Sequence, residues 1–443
     1  MNELLLTPTD VLFFRDGRPM SGSLAGHGAA WPLPTVTSAA IHAALHRAKI
    51  ADVLPHDQIR LRNKRRERIS KDDRKFGALL TAGPFPVYEG TWYFPRPLDA
   101  VVNRSSAATF LPLAKDFSPE KSSLPPPLKY PVANTEDASK DIIAAWWSAA
   151  AWETYLGTGA DAAQPGFEFD SAFCDTESTF GIGLDDSTHT QDGERFYSAH
   201  YLRLRENCQL GLVASAQDGI TGNRETSRDL LETLFPNSGS QTPIIVGGQQ
   251  RLCTVRRHTP EGRLPLPLGK SGGFLDAATG THLVKWALLS PAIFPQIKDH
   301  TGGWLPSWID MTGKVQLLDG PGPNFAARQG LKPGARIPAT LVAAMVGKPI
   351  PVTGYALDNG LENRKPGPKH THLAIPAGSV YYFECTSEED ASNLAAALNW
   401  HGSSSGTEIQ NRRSTLMGEK GFGLGVCGTW RFHHNDIPGP PRT

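Results

Sequence analysis

Three stretches of this sequence join flexible backbone to cationic side chains, a combination suited to holding phosphate. Phe13 to Pro19 (FFRDGRP) sets Arg15 and Arg18 on either side of an Asp-Gly turn. Guanidinium groups there can grip a phosphate through paired N–H···O bonds, and Asp16 can equally brace the loop. Gly247, Gly248 and Arg251 (VGGQQR) repeat the combination. Near the C-terminus, Gly418 to Gly428 (GEKGFGLGVCG) places Lys420 beside Gly421, Gly423 and Gly425. Glycines let a backbone come close to a phosphate or a base, or simply make a tight turn. A fourth stretch, Arg60 to Lys75, holds nine basic and three acidic side chains and includes Arg62, Arg65 and Arg66. It reads as a phosphate-binding run or as a solvated helix face, since Glu67 with Lys71 and Arg68 with Asp72 are spaced i,i+4 and can pair.

Signatures of catalysis fail on spacing or context. The GxGxxG match at Gly423, Gly425 and Gly428 leaves only 15 residues, too few for the helix and the acid about 20 positions on that a dinucleotide site needs. Gly269-Lys270-Ser271 has Leu264 where a P-loop has its first glycine. GxSxG matches at Ser271 and Ser404 lie in Gly/Ser-rich loops without a strand-elbow-helix context. His42 and His46 share a helix face but have no third ligand, and the acidic run Asp185 to Glu194 lacks EF-hand spacing. His27 is the best candidate for an RNA-cleaving base. No cofactor and no metal is expected.

The elements that must position these groups are β-rich. Of 443 residues, 44 are Gly and 36 Pro, against 9% aromatics, which favours turns over long helices. Glu3 to Phe14 reads as a strand, and Thr35 or Thr37 can cap a helix running to about Lys49. The Pro/Ser-rich text between Ala100 and Asp141 reads as an insertion or tether. Ile142 to Leu156 reads as a buried helix ending at Gly157, its apolar run about half of the roughly 20 residues that span a bilayer. Gly181 to Ser215 reads as hairpins with projecting loops; strands at Thr281 and at Gly378 to Cys385, a helix at Ser387 to Asn399 and a strand near Gly425 to Phe432 make a second α+β unit. Acidic and basic residues cancel at 44 each, so any electrostatic function is local. Five cysteines without a CxxC pair suit a reducing, cytoplasmic setting, and MNELLLTPTD lacks the base and apolar core of a signal peptide.

In order, LFFRDGRPM, WPLPTVTSAAIHAAL, GGQQR, IPAGSVYYFE and GEKGFGLGVCGTW resemble the Cmr-module RAMP protein of type III-B CRISPR systems, the subunit that holds the 5′ handle of the guide RNA. The chain departs from that pattern at Gln249-Gln250, where the family tends towards Glu-Gly, and at Gly354-Tyr355, where it tends towards Gly-Trp. The resemblance implies an α+β fold of two ferredoxin-like (RRM-like) RAMP domains with inserted β-hairpins and loops. Residues 1–275 would form the first, with insertions near 100–141 and 181–215, and 276–443 the second, ending in the glycine loop 418–428. It further implies a non-catalytic subunit acting in antiviral defence. Guide CRISPR RNA would be held by Arg15, Arg18, Arg62, Arg65, Arg66, Gly247, Gly248, Arg251, Lys420, Gly421, Gly423 and Gly425. Its protein partners would be the large signalling subunit and the backbone subunits, with no membrane. A guide-processing endoribonuclease and a subunit touching only protein are the alternatives.

Overall fold

A computed structural model describes residues 1–15, 24–26, 31–48, 50, 79–104, 107–113, 124–134, 141–157, 166–216, 229–236, 242–297, 300, 302–356 and 367–433. It is a mixed α/β molecule, rich in sheet, with few helices. In the first sheet, β1 (Asn2–Pro8) is followed by α1 (Pro34–Arg47), β2 (Leu79–Tyr88), β3 (Thr91–Pro95), β4 (Trp146–Ser148) and α2 (Ala149–Leu156). A long hairpin of β5 (Cys174–Leu184) and β6 (Gln191–Leu204) leads to β7 (Cys208–Ala216), α3 (Leu230–Leu234) and β8 (Leu252–His258). The order β8-β1-β7-β2-β3-β4 is extended at its ends by Thr242–Ile245 and Phe167–Glu168. Alternation decides the faces of this sheet. Leu4 and Leu6, paired with Leu212 and Leu210, pack with Ile41 and Leu45 of α1 and with Leu231 of α3. Val213 and Leu5 face the other way, into a second core.

The second sheet joins β9 (Thr281–Leu288), β10 (Ala339–Met345), β11 (Val380–Cys385) and β12 (Gly425–Thr429), with α4 (Pro323–Gln329) between β9 and β10 and α5 (Glu388–Leu398) before β12. Its order is β12-β9-β11-β10. Ser387 starts α5, its Oγ accepting the Asp390 N–H at 3.1 Å. Val284, Trp286, Tyr381 and Phe383 pack with Leu394 and Leu398 of that helix. Leu283, Ala287, Val380 and Tyr382 alternate onto the opposite face and share a core with Phe85, Val87, Val213 and Trp152 of the first unit. Burying each such large apolar side chain contributes about 1.5–3 kcal/mol.

A polar cluster sits within that shared core. Lys285 Nζ lies 3.3 Å from Asp99 Oδ2, with side-chain exposures of 9% and 3%. Tyr382 donates its hydroxyl to the same oxygen at 3.0 Å, and Tyr155 donates to the other. The ammonium rests 3.5 Å from the centre of the Tyr155 ring. Burial lowers the Lys285 pKa against the opposing pull of Asp99. Burial first, and then the Asp99 charge, push both tyrosine hydroxyls well above their usual range.

Several sequence expectations are corrected. The first strand stops at Pro8, and pairing resumes at Leu12, with Leu202. No threonine caps α1; Leu33 is the N-cap and Pro34 occupies the first turn, where its fixed φ starts a helix without needing an N–H donor. The expected helix at 142–156 is helical only from Ala149; Trp146–Ser148 is strand β4, because Trp146 and Trp147 suit a pleated surface beside Phe94 and Pro95 and the Ser148 hydroxyl caps the helix that follows. Ile142 is 78% exposed. Within the expected tether, Ala100–Val102, Ala107–Pro112 and Val132–Asn134 form a small sheet. Lys129 and Tyr130 donate N–H to Val342 O at 2.8 and 3.0 Å, so this segment borrows apolar surface from the second sheet. The hairpin begins earlier than expected, at Cys174. Among the described residues no helix is long and apolar enough to cross a membrane.

Candidate nucleic-acid interface

Where β1 ends, the chain is tied to β6 by two hydrogen bonds between Leu12 and Leu202, at 2.8 and 2.9 Å. That tie presents the Phe13 carbonyl to the Gly248 N–H at 2.9 Å. Gly247 has φ +79°, and a Cβ there would stand 2.6 Å from Phe13 O, so this approach admits only glycine. Gln249 and Gln250 follow at φ 54° and 53°, left-handed conformations uncommon for residues with a Cβ. Such local strain is a recurrent mark of functional sites.

The turn delivers Arg251 over the Tyr201 ring, 5.2 Å from its centre, and Phe13 meets the same ring at 5.5 Å. One carboxylate organises the cations: Asp10 contacts Arg203 at 3.1 Å and Arg251 at 3.4 Å, and is itself 53% exposed. Arg203 also pairs with Glu177. Arg251 donates to Gln249 Oε1 at 3.3 Å, while its Nε is buried without a partner. The Gln249 side chain, and after it Thr179 and Arg251, hold the Tyr201 hydroxyl below the ordinary tyrosine range. Arg15, two residues after Phe13, is exposed. The corner thus offers two aromatic faces, exposed guanidinium and glycine backbone, the equipment for stacking a base and gripping its phosphate.

Of the residues expected at RNA, Gly247, Gly248 and Arg251 sit at this corner, and Arg15 follows two residues after its Phe13. Arg18, Arg62, Arg65 and Arg66 lie outside the described residues, as does His27. Phe13, Tyr201, Arg203 and Gln249 were missed. For Tyr201 and Arg203 the signal was present in YLRLR, where they alternate outward while Leu202 and Leu204 face the core.

The C-terminal glycine loop lies elsewhere, against the middle of β2. Gly421, Gly423 and Gly425 are all buried. A Cβ at these positions would come within 2.9 Å of Ala82 Cα, 2.0 Å of Ser414 N and 2.2 Å of Trp286 Nε1, respectively. Their freedom is used by the protein's own packing. Lys420 is half-buried in a short turn at Gly418–Lys420. Beneath it, burial lowers Arg412 to about 10; its Nη2 donates to Thr81 O at 3.4 Å, and its Nε and the Thr81 hydroxyl have no partner. An apolar cleft of about 230 Å³ opens nearby between Trp31, Leu33, Gly83, Phe85 and Pro291.

The acidic run has a structural use: Asp185 accepts the Ser187 and Thr188 N–H groups at 2.9 Å each, and these bonds, with the Ser187 hydroxyl first, lower it to about 2. Among the described residues no three His, Cys, Asp or Glu side chains are grouped to hold a metal ion. All five thiols are free; burial raises Cys253 and Cys385 to about 12.

No curated protein matches the chain. Among solved structures it is similar to a chain of a type III-B Cmr-beta complex bound to cognate target RNA and AMPPnP, with 13% identity, a TM-score of 0.40 and 86% of each chain covered. A chain of a Csm3-Csm4 subcomplex of a type III-A interference complex shares 10% identity at a TM-score of 0.33, over 86% of this chain and 92% of that one. A family model described as CRISPR-associated protein (Cas_Cmr3) matches residues 4–430, nearly the whole sequence. The chain therefore belongs to the Cas_Cmr3 family and is a Cmr-module subunit of a type III CRISPR system.

Proposed function

We propose that this subunit binds the 5′ handle of the guide RNA, without cleaving it, and docks the large subunit at the foot of the backbone filament in cytoplasmic antiviral defence. The observation that carries the reading is the corner itself: Arg251 over Tyr201 beside Phe13 and the Gly247-Gly248 turn, with Arg15 two residues after Phe13. Cation and ring together suit a single strand, whose bases are free to stack. Lys420 supplies a second, weaker contact, and Arg18, Arg62, Arg65 and Arg66 are further candidates by residue type. The strand order supports a RAMP architecture. Numbered among themselves, β1, β2, β7 and β8 of the first sheet and β9 to β12 of the second each run 4-1-3-2, with a helix in the first and third connections, which is the ferredoxin-like order; β3 and β4 extend the first beyond it. Two such units would occupy residues 1–275 and 276–443.

Incubation of the purified chain with end-labelled repeat RNA tests the function. Retention of intact RNA is the expected result. Metal-independent cleavage abolished by His27→Ala would make the chain a guide-processing endoribonuclease. Neither binding nor cleavage would leave a subunit that touches only protein.

A further inference from the structure

Between β9 and β10 the chain throws out a lobe, residues 318–337, whose frame is braced from within. Leu318 bridges Arg336. Asp319 N–H donates to Ala335 O at 2.9 Å, and its carboxylate accepts the Ala335 N–H at 2.6 Å. Gly334 donates to Pro321 O at 2.9 Å, and a Cβ on Gly334 would stand 2.4 Å from Gly320 N, so two backbones touch. Helix α4 caps the lobe and stops at Gly330, φ +65°, with the Leu331 N–H returning to Ala326 O at 2.9 Å. That closure folds the residue after the glycine back over the last turn.

This frame holds up apolar groups that the chain itself leaves uncovered. Phe325 is 57% exposed and Leu331 54%. Pro323 and Pro333, also exposed, flank them on stiff backbone. Around them stand Arg328, Lys332 and Arg336, all exposed, and the lobe's one acid, Asp319, is engaged in bracing it. No ion pair forms with these three cations among the described residues. Phosphate would satisfy the cations but leave Leu331 nothing to stack against. An aromatic and an aliphatic group exposed on a pre-ordered cap, with arginine at the margin, match the composition of protein interface centres.

We propose that residues 318–337 are a docking knob for a protein subunit, inserting Phe325 and Leu331 into an apolar pocket rimmed by carboxylates. The inference rests on the chain acting within a Cmr assembly. The test co-expresses the full chain, tagged, with the other subunits of its own complex and guide RNA, and reads retained subunits and RNA by native mass spectrometry, with and without ribonuclease. Phe325→Ala/Leu331→Ala and Arg328→Glu/Lys332→Glu alter only exposed side chains. Each should lower the occupancy of one protein subunit about tenfold or more while guide RNA stays bound. Unchanged occupancy in both variants, or loss of RNA with every subunit retained, overturns the proposal, as does a subunit contact that ribonuclease removes. A wild-type chain that binds guide RNA yet gathers no subunit also overturns it while sparing the RNA reading. One that gathers neither overturns the proposed function itself.

Discussion

The corner at Gly247–Arg251 and the loop at Gly418–Gly425 look alike as text, each a few glycines beside a cation, and the fold uses them in opposite ways. At the corner, glycine allows the Phe13 carbonyl to come close, and the result is a half-exposed ledge carrying Arg251 and Tyr201. At the loop, three buried glycines let one strand of chain lie on Ala82, Ser414 and Trp286. A glycine therefore reports that something approaches the backbone closely. Whether that is a ligand or the protein itself depends on which side remains open.

The largest expected effect separates the two sites by stability. Gly423→Val places a branched side chain at φ +77°, where even a Cβ meets Ser414 N at 2.0 Å. It should cost more than about 4 kcal/mol and deplete soluble, folded protein, as urea unfolding would record. A valine variant melting like wild type would erase the distinction. Next comes Arg251→Ala, which should weaken RNA binding about tenfold or more at nearly unchanged melting temperature, because a charge-assisted contact and a ring partner are lost together. Lys420→Ala, by contrast, should change affinity only about threefold; equal effects would put the two sites on one footing. Asp10→Asn should act in the opposite direction. It removes the carboxylate that engages Arg203 and Arg251, so affinity should rise about two- to fivefold and the salt dependence should steepen. Weaker binding in a filter assay would mean that Asp10 orients the arginines instead of competing for them. The smallest effect is reserved for Gly248→Ala, whose Cβ would meet the half-exposed Phe13 ring at 2.8 Å. A turn of that ring relieves it, so stability should move by about 0.5 kcal/mol or less.

Much of the scaffold was legible. Strands at Thr281–Leu288 and Val380–Cys385 and the helix at Glu388–Leu398 carry their own periodicity and a serine cap, so local sequence suffices. The Ile142–Leu156 stretch misled because alanine and tryptophan suit helix and buried strand alike, and pairing with β3 decides between them. At the site, Arg15, Gly247, Gly248 and Arg251 were readable by residue type, but the meeting of their two segments was not. It depends on Leu12 pairing with Leu202, 190 positions away. Arg412 had no signal: in NRRST nothing marks which arginine goes under the loop. That the glycine loop's backbone is buried had no signal in its spacing, because burial is a tertiary property.

The cluster of Asp99, Lys285, Tyr155 and Tyr382 bears on how this chain can be divided or recombined. Asp99 and Tyr155 are contributed by the first half, Lys285 and Tyr382 by the second. An exchange of halves between two relatives would strand a charge in a dry core unless both donors kept the same partners, at a cost of about 3–5 kcal/mol. That is a large share of the 5–15 kcal/mol by which a typical domain is stable. Modular inheritance is thus open to the hairpin and the projecting lobe, which can be traded as loops. It is closed at the seam between the sheets, where the four residues must travel as a set.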